Sequence, residues 1–273
     1  MCGFYPCDRL DRNPEIFKKL LAEIVSSNSV RRFPCNWILH PDYYKVIMLP
    51  IPNVPKLEHR EAIRWQIKDM IDYPLEDTTI DIFYSNNFNR SAKAEKVYVV
   101  AAQTSFLKNI ANLIKASNLE LISIDIRQFA LRNLIYLKLV KSDSQFSVGI
   151  LDMVGESCII SLLENESIYL VRKIPVAKTS PLDKSSTLCD ELKRSFDYCH
   201  RELNRSPPTR LFTTFNPIEF NDLTSAIVTV LNIQLEPLSI QELINFSYSS
   251  NIVFDLRNLY AVGGALRNIM SEL

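Results

Sequence analysis

The sequence predicts an α/β protein of two lobes, and two features of the 273-residue chain carry this prediction. First, residues 146–273 alternate short apolar runs with helical periodicity in the order β-β-β-α-β-α-β-α. Second, the polar run KSDSQ at 141–145 separates this half from a first half with strands and helices of its own. We therefore expect residues 1–140 and 146–273 to form two lobes.

Composition limits the partners that the chain can have. Apolar residues make up 47% and charged residues 23%, which is typical of a globular protein. The 31 Lys and Arg residues balance the 31 Asp and Glu residues, so no basic field predicts binding to nucleic acid or to an anionic membrane. No apolar run approaches the roughly 20 residues that span a bilayer. The start of the sequence has no signal-peptide h-region, so we expect a cytoplasmic protein with reduced thiols. The six cysteines lack C-x-x-C spacing, and we expect no metal site.

Hydrophobic periodicity places most elements of the first half. The pattern predicts helices at 14–27, 106–117 and 128–139, and strands at 36–40, 43–49, 80–84, 97–103 and 119–126. A turn at Pro41-Asp42 joins the first two strands. The run at 97–103 is almost continuously apolar, so we expect this strand to lie in the middle of its sheet.

The helix that begins near residue 58 is the most informative element of the first half. Its apolar stripe is formed by Ile63, Ile67, Met70 and Ile71. The helix should end before Pro74, because the residue before a proline is pushed out of the α region. Its other side is too charged for a core helix and carries no catalytic constellation. We therefore expect another molecule to dock on its edge.

The second half has a simpler outline. The predicted strands are 146–152, 158–163, 168–174, 210–215 and 234–236, and the predicted helices are 186–204, 217–231, 239–246 and 257–271. Three successive strands followed by alternating helices and strands are typical of an RNase H-like unit. Two such units face each other in the superfamily of actin, sugar kinases and Hsp70.

One stretch resembles a known family. It is Glu61–Asp69, EAIRWQIKD, followed by Asp72, Pro74 and Asp81. This stretch resembles the PilM-like family of type IV pilus assembly proteins, and within that family the MshI type of the mannose-sensitive haemagglutinin (MSHA) pilus. A nine-residue run that contains tryptophan is far more specific than a lone glycine motif. The resemblance implies an actin-like (RNase H-like) two-lobed fold with an inserted subdomain at about 36–96.

The resemblance also implies a phosphate-binding hairpin at the start of the first lobe. PilM-like proteins are similar to the superfamily in opening with a strand, a D-x-G turn and two more strands. This chain instead begins with MCGFYPCDRLDRN and goes directly into the helix at 14–27. We therefore expect the first lobe to lack its first β-strands and its phosphate loop.

A second phosphate turn of the family, D-[IL]-G-x-x-x-[ST], should follow strand 146–152. In that pattern the aspartate orients metal-bound water, the backbone N–H groups near the glycine approach phosphate, and the hydroxyl contacts the anion. Asp152 matches the aspartate. However, Val154 replaces the glycine and Cys158 stands where the hydroxyl belongs.

Gly155 and Ser157 could replace the missing groups only in a shifted register. Glu156 would then bring a negative charge close to a polyphosphate, so an ordinary β-turn is the favoured interpretation. The adenosine loop should follow strand 210–215, but no glycine occurs there. Gly263-Gly264 is better explained by close packing of the last helix. We therefore expect neither ATP nor Mg²⁺ as a cofactor, and no catalytic residues.

The resemblance implies a protein partner instead. PilM-like proteins bind the short cytoplasmic tail of a single-span inner-membrane protein, PilN or its counterpart MshJ, in a groove near the inserted subdomain. The aromatic residues Trp65, Tyr43, Tyr44 and Tyr84 are candidate anchors. Packing of these aromatics between the subdomain and its neighbour is an equally good explanation.

Taken together, the residues and the resemblance favour a scaffold rather than an enzyme. The scaffold would connect a PilN/MshJ-like inner-membrane protein to the motor complex of pilus assembly, on the cytoplasmic side and without inserting into the membrane. Two alternatives stay open. One is an ATP-binding switch or ATPase of the same fold, in which Asp152 would orient metal-bound water. The other is the cytoplasmic module of a GspL-like type II secretion protein.

Overall fold

Three β-sheets organise the part of the chain that the computed structural model describes, namely residues 14–84, 96–140, 145–176, 181–216, 220–243 and 256–267. The strands are β1 (Pro34–Leu39), β2 (Tyr44–Pro50), β3 (Thr78–Tyr84), β4 (Lys96–Gln103), β5 (Glu120–Ile126), β6 (Ser147–Val154), β7 (Ser157–Glu164), β8 (Ser167–Pro175), β9 (Arg210–Thr213) and β10 (Gln234–Pro237). The helices are α1 (Pro14–Ser27), α2 (His59–Gln66), α3 (Thr104–Ala116), α4 (Arg127–Leu139), α5 (Pro181–Glu202), α6 (Asn221–Leu231), α7 (Ile240–Leu243) and α8 (Leu259–Ala265). Residues 1–13 and the predicted helical residues 217–219, 244–246 and 268–271 lie outside the described ranges.

The largest sheet has the strand order β10-β9-β6-β7-β8. Strands β6, β7 and β8 form an antiparallel meander, and β9 and β10 join it in parallel. The turn between β7 and β8 places Asn165 at φ +53°, and its side-chain Oδ1 accepts a hydrogen bond from the Phe146 N–H. This arrangement confirms the RNase H-like order predicted for the second half.

Helices cover both faces of the large sheet and join the two halves of the chain. Successive residues of a strand point to opposite faces, so Leu151 packs in one apolar cluster with α5 while Ile150 packs in another. The second cluster contains Leu134 and Ile135 of α4. Helix α4 belongs to the first half, so the two halves of the chain share this second cluster.

The second sheet has three strands in the order β2-β4-β3, with antiparallel pairing throughout. Strand β4 lies in the middle, as its apolar sequence predicts. Ile63 and Ile67 are fully buried beneath this sheet. The prediction of one helix reaching Ile71 was wrong, because α2 ends at Gln66 and a separate 3₁₀ turn follows at 68–70.

The third sheet consists of β1 and β5, which pair in parallel. Strands β1 and β2 are neighbours in sequence but lie in different sheets. A 3₁₀ turn at Pro41–Tyr43 separates them, and the His40 Nδ1 accepts a hydrogen bond from the Asp42 N–H at 3.4 Å. Of the stretch predicted as an inserted subdomain, β2 and β3 form the outer strands of the three-stranded sheet and α2 packs against it, whereas 36–39 belong to β1.

Two glycines bring α8 close to its neighbours. A Cβ at Gly263 would lie 2.1 Å from the Ala130 carbonyl oxygen of α4, and one at Gly264 would lie 2.7 Å from Ile38 Cδ1 of β1. The Asn133 Nδ2 donates to the Gly263 carbonyl at 2.9 Å and fixes this contact. The close-packing explanation of the Gly263-Gly264 pair is confirmed. Among the helices described, none combines the length and the apolar character that crossing a membrane requires.

Candidate functional site

A groove of about 720 Å³ lies between the three-stranded sheet and the large sheet. Its walls are formed by residues from both halves of the chain. They are Pro41, Asp42, Tyr43, Tyr44, Lys45, Val46, Ile47, Asp72, Tyr73, Gln103, Phe106, Gln128, Ile159, Val171 and Lys173. We call this cavity the interlobe groove.

One wall of the interlobe groove is the free edge of β2. The consecutive residues Tyr44–Ile47 all line the groove. Alternate residues of a strand point to opposite faces, so four consecutive lining residues mean that the strand edge itself borders the cavity. Among the described strands, β2 pairs only with β4, and its other edge carries no strand partner. The edge therefore presents main-chain N–H and C=O groups to the groove.

Aromatic side chains stand at one end of this edge. Tyr43 stacks on Phe106 with ring centroids 4.2 Å apart and an interplanar angle of 17°. Tyr44 is buried, and its hydroxyl donates to the Gln128 Oε1 at 2.7 Å. Burial raises the pKa of Tyr44, so the hydroxyl stays protonated as a donor. Tyr43 and Phe106 together offer a flat apolar surface.

Polar groups line the rest of the groove. The Lys45 Nζ is 2.5 Å from Asp72 Oδ2 and also donates to the Met70 carbonyl at 3.0 Å. The Tyr73 hydroxyl is buried and has no hydrogen-bond partner within the described residues. Burial, with smaller contributions from Asp72 and Asp77, raises the pKa of Tyr73 to about 12. Tyr73 therefore brings a protonated hydroxyl to the wall of the groove.

The relative position of the two walls depends on Tyr98. This residue lies on β4 and is fully buried. Its hydroxyl donates to the Tyr169 carbonyl at 3.0 Å and accepts from the Val171 N–H at 3.2 Å. Both groups belong to β8, so one side chain fixes the three-stranded sheet against the edge of the large sheet.

Asp152, the predicted phosphate-site aspartate, is 2% exposed. Its Oδ1 accepts hydrogen bonds from the Arg127 guanidinium at 3.1 Å, the Thr214 hydroxyl at 2.8 Å and the Tyr260 hydroxyl at 2.6 Å. The Arg127 guanidinium also lies over the Tyr260 ring, 3.6 Å from its centroid. We call these four residues the Asp152 cluster. It joins β6, α4, the residue after β9, and α8.

Burial dominates the electrostatics of this cluster. It raises the pKa of Asp152 to about 6, although Arg127 and the Thr214 hydrogen bond act in the opposite direction. It also lowers the pKa of Arg127. Asp152 Oδ2 and Arg127 Nε are buried and find no hydrogen-bond partner within the described ranges.

The other two residues of the predicted phosphate turn lie apart from Asp152. Gly155 is exposed at φ +56° and, with Glu156, forms the two-residue turn between β6 and β7. A positive φ at the first turn position only is typical of a type II′ hairpin, where glycine is preferred. Ser157 already pairs with Pro175 of β8. The structure thus does not bring Asp152, Gly155 and Ser157 together around one cavity.

The four predicted aromatic anchors divide into two groups. Tyr43 and Tyr44 line the interlobe groove, whereas Trp65 and Tyr84 do not. The Tyr84 hydroxyl is 2.9 Å from the His59 Nδ1, and the Lys56 Nζ lies over the Tyr84 ring at 5.1 Å. Trp65 is 67% exposed on the outer side of α2.

Sequence reasoning did not identify Arg127, Tyr260 or Phe106 as site residues. Of these three, Arg127 would have been the easiest to predict. It is a charged residue at the junction of an apolar strand and an apolar helix, and such a residue needs a buried partner. Nothing local marks Tyr260 or Phe106. No group of three or more His, Cys, Asp or Glu residues in the described part of the chain could hold a metal ion.

Comparison with known proteins gives a family match over part of the chain. Residues 42–175, just under half of the sequence, match the family model described as type IV pilus assembly protein PilM. No curated protein sequence matches the chain.

Solved structures give a match over most of the chain. A chain of the PilM-PilN type IV pilus biogenesis complex superposes with a TM-score of 0.71 at 18% identity, covering 94% of this chain and 85% of that chain. The cytoplasmic domain of EpsL, an inner-membrane component of the type II secretion system of Vibrio cholerae, gives a TM-score of 0.47 at 11% identity, with 91% and 80% covered. A Bacteroides thetaiotaomicron protein with an actin-like ATPase fold and unknown function gives a TM-score of 0.44 at 10% identity. That superposition covers 77% of this chain and 71% of that chain.

The match over residues 42–175 contains every residue that lines the interlobe groove except Pro41, and it extends through the meander that carries Asp152. The strand order of the large sheet and the superposition on the PilM-PilN structure agree on the architecture. Residues 42–175 are therefore similar in sequence to the type IV pilus assembly protein PilM, and the chain as a whole shares the fold of the chain in the PilM-PilN structure.

Proposed function

We propose that the chain is a cytoplasmic scaffold of type IV pilus assembly that binds the tail of a PilN-like inner-membrane protein in the interlobe groove. The observation that carries this proposal is the free edge of β2 beside the stacked pair Tyr43 and Phe106. In the MSHA setting that the sequence suggests, the membrane partner is MshJ-like. The bound tail holds the scaffold at the inner membrane, where it also contacts the motor complex.

The groove suits an extended peptide. A free strand edge gives affinity through main-chain hydrogen bonds, and neighbouring pockets select side chains. The Tyr43–Phe106 pair offers a rigid aromatic surface of the kind that dominates binding energy in interfaces. Ile159 and Val171 supply an apolar wall on the opposite side. A tail bound there touches both halves of the chain.

The proposed scaffold does not turn over nucleotide. Asp152 is buried and engaged by Arg127, Thr214 and Tyr260, so its Oδ1 is not free to orient metal-bound water. The two-residue turn formed by Gly155 and Glu156 carries a carboxylate, which would repel a phosphate group placed against it. Both features support a binding role over that of an ATPase.

Isothermal titration of the full chain tests the proposal. The titrants are a synthetic peptide of the cytoplasmic tail of a PilN-like inner-membrane protein and, separately, Mg-ATP. We expect saturable one-to-one binding of the peptide and no heat from Mg-ATP. Tight binding of Mg-ATP would favour the ATP-dependent switch, and the absence of peptide binding would overturn the scaffold proposal.

Variants locate the binding site. Replacing a central aromatic anchor of an interface often costs 2 kcal/mol or more, so Tyr43→Ala and Phe106→Ala should each weaken peptide binding roughly 30-fold. Phe33→Ala is the matched control, because Phe33 is 55% exposed and does not line the groove. Equal effects of all three changes would place the peptide elsewhere.

A further inference from the structure

The outer side of α2 carries two large apolar side chains that no described residue covers. Leu57 is 97% exposed and Trp65 is 67% exposed. Glu58 has helical backbone angles, so the 3₁₀ turn at Lys56–Glu58 runs into α2 without a break. Residues 57, 61 and 65 are therefore spaced four apart on one line of the helix, opposite the buried Ile63.

The positively and negatively charged side chains around this line point in different directions. All three cations of the segment turn back onto the subdomain. Lys56 lies over the Tyr84 ring, Arg60 donates to the Ile80 carbonyl, and Arg64 donates to the Leu75 carbonyl at 2.7 Å.

The carboxylates of the segment remain unengaged. Glu58 and Glu61 are exposed, and neither makes an ion pair or a hydrogen bond to the residues that the structure describes. One turn further along, Lys68 and Asp69 carry opposite charges that cancel. The outer side of α2 thus combines two exposed apolar side chains with two carboxylates that have no partner among the described residues.

We propose that this surface, the α2 face (Leu57, Glu58, Glu61 and Trp65), docks a cationic amphipathic helix of a partner protein. Eight residues of helix place Leu57 and Trp65 about 12 Å apart along the axis, which matches two turns of an apolar stripe. Lysine or arginine residues beside that stripe would pair with the two carboxylates. A helix offers no free main-chain edge, so the face accepts a helix rather than a strand.

Two other occupants fit less well. Glu61 lies midway between Leu57 and Trp65, so a symmetric pairing of two copies through this line would place Glu61 against Glu61. An anionic lipid surface would be repelled by the same carboxylates. No residue of 54–66 lines the interlobe groove, so the α2 face is separate from the proposed tail site and its docking does not rest on that proposal.

The test uses the full chain and a pair of designed peptides. The first is a fluorescein-labelled 15-residue helix with leucines at i, i+4, i+7 and i+11 flanked by lysines, where this spacing keeps the leucines on one face. The second replaces every lysine with glutamate. By fluorescence anisotropy, we expect the lysine peptide to bind at least about tenfold more tightly than the glutamate peptide.

Variants of the α2 face should change this preference. Trp65→Ala and Leu57→Ser should each weaken binding of the lysine peptide about tenfold or more, since exposed anchors dominate such contacts. The double change Glu58→Lys with Glu61→Lys should reverse the preference in favour of the glutamate peptide. The control Asp190→Lys with Glu202→Lys makes the same change in net charge on the exposed side of α5 and should leave the preference unaltered.

Three results would overturn the proposal. They are equal binding of the two peptides, a preference that survives the double charge reversal, and lysine-peptide binding unaffected by Trp65→Ala. A dimer in sedimentation velocity that Trp65→Ala dissociates would identify a second copy as the occupant. Co-sedimentation with anionic vesicles that Trp65→Ala abolishes would identify a membrane. Because the altered residues are exposed, circular dichroism should show that all variants fold.

Discussion

At the scale of single residues, Asp152 shows how a side chain can keep its position in a fold and acquire new surroundings. Its carboxylate accepts three hydrogen bonds through one oxygen, from groups on three separate parts of the chain. A buried carboxylate is stable only when it is paired or protonated, and here both apply to some degree. The cluster joins the two halves of the chain near neutral pH.

The raised pKa of Asp152 predicts a particular dependence of stability on pH. A carboxyl group with a folded-state pKa of about 6 and an ordinary unfolded-state value contributes stability at low pH that is lost as the pH rises through about 4 to 6. Relative to Asp152→Asn, the wild-type free energy of unfolding should therefore fall by roughly 2–3 kcal/mol over this range. Urea unfolding of both proteins at pH 4 to 7 measures the difference.

Asp77 provides a control, because its effect on stability should change with pH in the opposite direction to that of Asp152. Hydrogen bonds from Ser105 and Gln103 hold the pKa of Asp77 below its usual value. Its contribution should be present above the ordinary pKa of a carboxyl group and should be lost as the pH falls. Relative to Asp77→Asn, the wild type should thus gain stability with rising pH. Parallel pH profiles for the wild type and Asp152→Asn would contradict the assignment.

At the scale of single residues, the sequence identified candidate site residues but did not identify the residues that contact them. Asp152 was identified because a motif marks it. Its partners Arg127 and Tyr260 are 25 and 108 residues away, and only tertiary packing brings them together. Tyr43 and Tyr44 were identified as candidate anchors and do line the interlobe groove. Their binding role remains a prediction.

At the scale of elements, α8 is positioned by one contact with backbone atoms, which cannot move easily, and by another with a side chain, which can. A methyl group at Gly263 would meet backbone atoms of Ala130, whereas one at Gly264 would meet only the end of the Ile38 side chain. Gly263→Ala should therefore lower the free energy of unfolding by about 1–3 kcal/mol, and Gly264→Ala should cost less because Ile38 can change rotamer. Thermal unfolding of the two variants compares them. Equal losses would mean that α8 shifts as a rigid body in both.

Local patterns predicted most elements and failed where packing decides. Helix α1 occupies the predicted 14–27, because its periodicity and the early proline act locally. Helix α2 stops at Gln66 although the apolar stripe continues to Ile71, because the 3₁₀ turn at 68–70 redirects the chain. The separation of β1 and β2 into different sheets was not predictable either, since strand partners are set by contacts distant in sequence.

At the scale of the whole molecule, one hydroxyl fixes the two walls of the interlobe groove. Tyr98→Phe would leave the Tyr169 carbonyl and the Val171 N–H of β8 without this partner. We expect a loss of about 1–3 kcal/mol in the free energy of unfolding and a weaker affinity for the tail peptide, because the walls are no longer held in register.

Urea unfolding and peptide titration of Tyr98→Phe measure both effects. Tyr136→Phe on α4 is a suitable control, because no described residue bonds to that half-buried hydroxyl. If Tyr98→Phe lowered stability but left peptide affinity unchanged, the wall contact would be purely structural and the groove would be formed without it.

The architecture as a whole was well predicted, and the reason is physical. Order and spacing of strands restrict an α/β chain to few topologies, so the strand order of the large sheet followed from the sequence. The groove did not, because it arises where Tyr43 of a 3₁₀ turn, Phe106 of α3 and Val171 of β8 come together. Geometry between lobes is set by side-chain contacts that no local pattern records.

The free edge of β2 has a cost when no partner is bound. An unpaired strand edge is a template for aggregation, since a second chain can add to it as readily as a tail peptide can. Pro50 ends this strand and Lys45 lies within it, and proline and lysine are residues that discourage such addition. If the proposed tail binds this edge, the amount of this protein that a cell can keep in solution should therefore depend on the supply of the protein that carries the tail. Co-expression of the two would protect the edge from self-association.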